Sequence, residues 1–119
     1  MPPTKILVVE DDDELRAAIV ASISDLGAEV EAARDGVEGL ERLAVGAVPS
    51  AILLDLRMPR LDGQGFLEVL RAEPRLANIP VITMSGGPGP PPEPPVTSRL
   101  VKPFDIDEVA RILVSLGET

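Results

Sequence analysis

The chain has 119 residues, 45% hydrophobic and 26% charged, which is the balance of one soluble globular domain and excludes both a disordered segment and a comfortable pair of cores. With no cysteine and no histidine, disulfides, thiolate ligation and imidazole chemistry are excluded, so any chemistry must use carboxylates, hydroxyls, lysine, arginine and backbone. The net charge of −9 argues against direct nucleic-acid binding, and no apolar run approaches the roughly 20 residues of a membrane span, so the expected location is the cytoplasm, with no membrane partner.

Ile6 to Val9 is a short aliphatic run that reads as a buried strand, and it ends in two acids, Glu10 and Asp11. Asp12 or Asp13 then caps a helix in which Leu15, Ala18, Ile19, Ser22, Ile23 and Leu26 recur at helical spacing, with Gly27 as its stop. Ala28 to Ala33 is a weaker second strand. Asp35 and Gly36 turn the chain into a second helix, about Val37 to Val45, whose inner face is Val37, Leu40, Leu43 and Ala44. Gly46 to Pro49 breaks that helix. Ser50 to Leu54 is the third strand, apolar enough to be covered on both faces, and it delivers Asp55 to the following loop. Asp62 and Gly63 read as a turn before a third helix near Gln64 to Ala72, which Pro74 ends. A fourth strand, Pro80 to Met84, leads to Ser85.

The stretch from Gly86 to Pro95 holds six of the 13 prolines. Each internal proline costs a helix about 3 kcal/mol and an amide donor, so the expectation is an extended, partly polyproline-type loop. A fifth strand, Arg99 to Val101, and a last helix, Asp105 to Leu116, complete a single domain over residues 1–119, the helix burying Ile106, Val109, Ala110, Leu113 and Leu116. Strands and helices that alternate this way imply an α/β fold with right-handed crossovers and a parallel sheet. Ligands of such sheets bind beyond the carboxyl ends of the strands, and Glu10, Asp11, Asp55 and Ser85 all stand at such ends.

Three converging carboxylates repel one another by about 4 kcal/mol per pair at about 4 Å and an effective dielectric near about 20. A hard divalent cation relieves that repulsion, and magnesium suits an all-oxygen site completed by phosphate oxygens. An aspartate is a feasible nucleophile on phosphorus, provided that metal and a compact ammonium neutralise the phosphoryl oxygens. Only Lys5 and Lys102 among the 11 basic residues are lysine, which singles out Lys102 as that ammonium. Ser85 offers a hydroxyl donor.

Four pieces, Ile6 to Asp12, the Asp55–Leu56–Arg57–Met58–Pro59 to Asp62–Gly63 loop, Ile79 to Gly86, and Val101–Lys102–Pro103–Phe104, together resemble the receiver domain of two-component response regulators. The intervals from Asp11 to Asp55 and from Asp55 to Ser85 are also those of the family, and the resemblance covers the chain except for residues 86–98. It implies a flavodoxin-like, doubly wound, five-stranded parallel sheet of order 2-1-3-4-5. It further implies that Asp55 is the phosphorylation site, that Glu10, Asp11, Asp55 and the backbone carbonyl of Arg57 hold magnesium, Glu10 through water, and that Ser85 moves toward the phosphoryl group. Lys102 is then its ion-pair partner, joined to Pro103 by a cis bond. The implied partners are a histidine kinase or histidine phosphotransfer protein and a downstream protein. The chain would catalyse its own phosphorylation and dephosphorylation without being an enzyme toward outside metabolites.

Two departures bear on the readout. The proline-rich stretch stands where the family places its fourth helix, which is expected to be absent, and Arg99 stands where the family tends to carry an aromatic ring. The expected output surface is therefore atypical, and the alternative is a pseudo-receiver that binds a partner without phosphorylation. A magnesium phosphohydrolase is disfavoured because such enzymes want a second acid two residues after the nucleophile, where this chain has Arg57.

Overall fold

The computed structural model describes residues 5–57, 62–86 and 96–117. Met58 to Leu61 and the proline-rich stretch from 87 to 95, with its expected extended loop, lie outside the described residues. In chain order the elements are β1 Lys5–Val9, α1 Asp13–Asp25, β2 Glu29–Ala33, α2 Gly36–Ala44, β3 Ala51–Asp55, α3 Gly63–Ala72, β4 Val81–Ser85, β5 Ser98–Val101 and α4 Ile106–Gly117. All strand pairs are parallel and the sheet order is β2-β1-β3-β4-β5, as expected. Four helices stand among the described residues.

Alternation along each strand sends side chains to opposite faces, so the sheet carries two cores. On one face Leu7, Val9, Ile52, Leu54 and Val81 meet Leu43 of α2 and Phe66, Leu67 and Leu70 of α3. On the other, Ile6, Val8, Leu53, Ile82, Met84 and Leu100 meet Ile19 and Ile23 of α1 and Val109 and Leu113 of α4. β3, in the middle of the sheet, is buried at every position, including Asp55.

Sequence and structure differ in several details, each with a local cause. β3 extends one residue further than its apolar run because Asp55 still pairs with Met84. Ser85 likewise belongs to β4, paired with Val101. Of the two candidate caps for α1, Asp12 is the one used: its Oδ1 accepts from the amides of Glu14 and Leu15 at 3.0 and 3.1 Å. Ala44 and Ala18 are exposed, and α2 instead turns Gly36, Gly39 and Leu43 inward. Gly39 is needed there, since a Cβ would come within 2.9 Å of the Phe66 ring and 3.2 Å of Val9.

Candidate functional site

The sheet brings its acids together because two neighbouring strands, β1 and β3, end at one edge. β1 runs into Glu10, whose amide donates to the Ala33 carbonyl at 3.0 Å, so the ladder with β2 continues one residue past the strand. Glu10 is fully buried and Asp55 is 2% exposed, whereas Asp11 is exposed. Their carboxylate oxygens include one from each residue, all within 4.8 Å of one another.

Each buried acid is held in place. Asp55 Oδ1 accepts from the amide of Arg57 at 3.1 Å, and Oδ2 lies 3.4 Å from Lys102 Nζ. Glu10 Oε2 accepts from the amide of Asp12 at 3.0 Å. Glu10 Oε1 lies 2.9 Å from Lys102 Nζ, a close ion pair set off the hydrogen-bonding direction, so this buried oxygen has no hydrogen-bond donor among the described residues. Lys102 reaches the pair from the loop after β5, where its amide donates to the Ser85 carbonyl at 2.6 Å and its peptide bond to Pro103 is cis.

Electrostatics follow from the burial. Loss of water around Asp55 pushes its carboxyl up to about 7; the Arg57 amide opposes this, and the neighbouring Asp11 and Glu10 add to it. Partial burial pushes Asp11 up too, but hydrogen bonding with Asp55 and Glu10 and the charge of Lys102 outweigh it and hold Asp11 below the usual carboxylate range. Burial favours the neutral amine of Lys102, yet the contacts with Glu10 and Asp55 win and keep it protonated above its ordinary range. One ammonium therefore faces three carboxyl groups, and Asp55, the one whose carboxyl burial and its acidic neighbours push up, is the least readily ionised of them.

A hard cation fits this donor set. The ligands are all oxygen, Glu10 Oε1 is buried without a donor among the described residues, and a dication would favour the ionised form of Asp55, which burial and the neighbouring acids disfavour. Ser85, half-buried, stands at the same edge, and Arg57 is exposed beside Asp55. The structure thus gathers Glu10, Asp11, Asp55 and Lys102 into direct contact and joins Ser85 to them through backbone. A cleft of about 470 Å³, lined by Asp12, Glu14, Leu15, Gly86, Lys102, Pro103 and Phe104, opens beside Lys102.

The sequence treats Asp62 and Gly63 only as a turn, and here the structure adds a role. Asp62 caps α3, accepting from the amide of Gly65 at 2.8 Å. Gly63 packs onto the backbone of the central acid: a Cβ there would sit 2.5 Å from Leu56 Cα and 2.7 Å from the Asp55 carbonyl oxygen. The glycine after the capping aspartate is the only trace of this in the sequence, and it is also what an ordinary turn would show.

Comparison with known proteins agrees with this geometry. The response regulator receiver domain family profile matches residues 6–90. The response regulator MprA of a Mycobacterium species is 49% identical over 69 residues, which is 58% of this chain and 28% of that protein. The DNA-binding dual master transcriptional regulator RpaA of Synechocystis is 32% identical over 130 residues, covering 97% of this chain and 50% of that protein, so the chain spans half or less of the length of these two relatives. Among solved structures, the chemotaxis response regulator CheY4 of Vibrio cholerae superposes with a TM-score of 0.85 at 27% identity, covering 95% of this chain and 98% of that one. The receiver domain of a sensor histidine kinase from Pseudomonas aeruginosa, solved with a magnesium ion coordinated in its active-site cleft, does so with a TM-score of 0.85 at 27% identity, covering 98% of each. The chain belongs to the response regulator receiver domain family of two-component signalling.

Proposed function

We propose that Asp55 accepts a phosphoryl group from the phosphohistidine of a histidine kinase or histidine phosphotransfer protein. The observation that carries this reading is a buried carboxylate at the end of the central strand, with two further carboxylates and one ammonium against it. Asp55 Oδ1 is held by the Arg57 amide, which leaves Oδ2, facing Lys102, as the attacking oxygen. The phosphorus–nitrogen bond to the donor imidazole breaks as the bond from Oδ2 to phosphorus forms, and the imidazole leaves with the electron pair. Lys102 neutralises one phosphoryl oxygen, and the Ser85 hydroxyl donates to another.

Glu10, Asp11, Asp55 and the Arg57 carbonyl would hold a magnesium ion, whose chemistry is to offset the remaining phosphoryl charge. Its charge also favours the ionised form of Asp55, which at a pKa of about 7 is otherwise only partly available at neutral pH. The Pseudomonas receiver domain with magnesium in its cleft supports this assignment. The cleft beside Lys102, lined in part by Leu15, Pro103 and Phe104, offers the donor a route to Asp55. In this reading the chain, located in the cytoplasm, is not an enzyme acting on outside metabolites.

The test is direct. A small phosphodonor with magnesium adds one phosphoryl group, seen by intact mass, and Asp55→Asn abolishes it; an adduct that persists in the variant sinks the assignment.

A second reading concerns the output alone. Arg99 is exposed on β5, beside Thr83, at the place expected for an aromatic ring, so a readout through an inward-moving ring has no side chain to use. A partner whose affinity does not change when beryllofluoride is bound would favour a phosphorylation-independent docking module; a clear change would count against it.

A further inference from the structure

We infer that Arg16 is a positioning residue for the cation site, acting through the peptide plane that joins the two acids that follow β1. Arg16 lies in the first turn of α1 with its side chain 21% exposed, and the sequence marks it only as a polar position on an amphipathic helix. Its Nη1 donates to the Glu10 carbonyl oxygen at 2.9 Å, and its Nη2 pairs with Asp13 Oδ1. The backbone amide of Arg16 also donates to the Asp12 carbonyl at 2.9 Å, which fixes the root of the side chain relative to the same turn.

The Glu10 carbonyl belongs to the rigid peptide unit whose nitrogen is that of Asp11. Pinning that oxygen therefore sets the direction in which the chain leaves Glu10 and, with it, where Cα of Asp11 stands. Glu10 does not need this help: its amide is tied to Ala33 and its Oε2 to the Asp12 amide, and it is fully buried. Asp11 does, because it is the exposed member of the three and, among the described residues, lies outside the strand ladder, held only by its side-chain contacts with Asp55 and Glu10. A planar fork is suited to the task, since one guanidinium bridges the carbonyl and Asp13 in a fixed geometry. Asp13 in turn points the fork, as a partner behind a ligand does in metal sites.

This inference rests on the proposed magnesium site and makes a prediction opposite in sign to that of charge alone. A guanidinium close to a dication repels it, so its removal by itself would tighten magnesium binding. If Arg16 positions Asp11, its removal weakens binding. The test is a magnesium chloride titration of the full chain, followed by the amide shifts of Asp11, Asp12 and Arg57, with Arg16→Met and Arg16→Lys. Methionine keeps an apolar stem and removes the donors, and lysine keeps the charge and a donor. The expected result is a Kd about tenfold weaker in Arg16→Met, with partial recovery in Arg16→Lys. A wild-type chain that does not saturate with magnesium overturns the proposed function itself. A wild type that saturates, beside an Arg16→Met variant of equal or tighter affinity, overturns only the role given to Arg16.

Discussion

Replacing Asp55 by asparagine should stabilise the metal-free protein, and by an amount that grows with pH. The carboxyl is pushed from its ordinary 3.8 to about 7 by burial and by Asp11 and Glu10, so the folded chain holds a proton that the unfolded chain releases. Its contribution to stability is fully present below about pH 3.8 and is lost as pH rises through about 7. At about 1.36 kcal/mol per unit, the loss reaches a ceiling of about 4 kcal/mol at high pH. Asparagine retains an acceptor for the Arg57 amide and gives up only the 3.4 Å contact with Lys102. Urea unfolding in EDTA should therefore show the variant gaining about 2–3 kcal/mol more, relative to wild type, at pH 8.5 than at pH 5. Magnesium at about ten times its Kd should return about 1.4 kcal/mol to wild type and less to the variant. An Asp55→Asn gain that is the same at both pH values, or a loss at pH 8.5, would refute the view that burial and the neighbouring acids push the Asp55 carboxyl up.

Three further substitutions test neighbouring parts of the argument. Gly63→Ala places a Cβ 2.7 Å from the Asp55 carbonyl oxygen, against backbone that cannot yield cheaply, so it should lower stability by about 2–4 kcal/mol and slow phosphoryl uptake at Asp55; a variant as stable and as quickly phosphorylated as wild type would refute the close packing. Lys102→Met leaves the fully buried Glu10 without its cation and should cost about 3 kcal/mol at pH 8 in EDTA, measured by urea midpoint and slope. Thr83 is 1% exposed and its hydroxyl has no hydrogen-bond partner among the described residues, so Thr83→Val should raise stability by about 1 kcal/mol, and a clear loss would reveal a partner for that hydroxyl.

Much of the scaffold was legible because it depends on local pattern. Apolar runs separated by helical repeats imply the alternating order, and a carboxylate closing an apolar run marks a strand's end wherever the strand pairs. Lys102 stood out through the rarity of lysine, and Glu10, Asp11 and Asp55 through their positions after β1 and at the end of β3. Element boundaries shifted by a residue in several places, and at Asp55, Ser85 and Gly63 the cause is a ladder or cap hydrogen bond, invisible to periodicity, that extends the element.

The features that escaped the sequence are distances between elements. Gly39 is one more position inside a helix and Gly63 a turn glycine until Phe66 and the backbone of Asp55 and Leu56 are brought against them. Arg16 is one more polar helix residue until α1 folds back over the end of β1. The contrast between fully buried Glu10 and its exposed neighbour Asp11 is likewise a tertiary result, set by which side of the strand end the core covers. By itself the sequence determined the order of the strands along the chain and which acids and which lysine could meet, since hydrophobic period and residue chemistry are local properties. Only the tertiary structure decided how closely they meet and which of them is buried enough to be driven to a pKa of about 7, since desolvation depends on everything packed around a group.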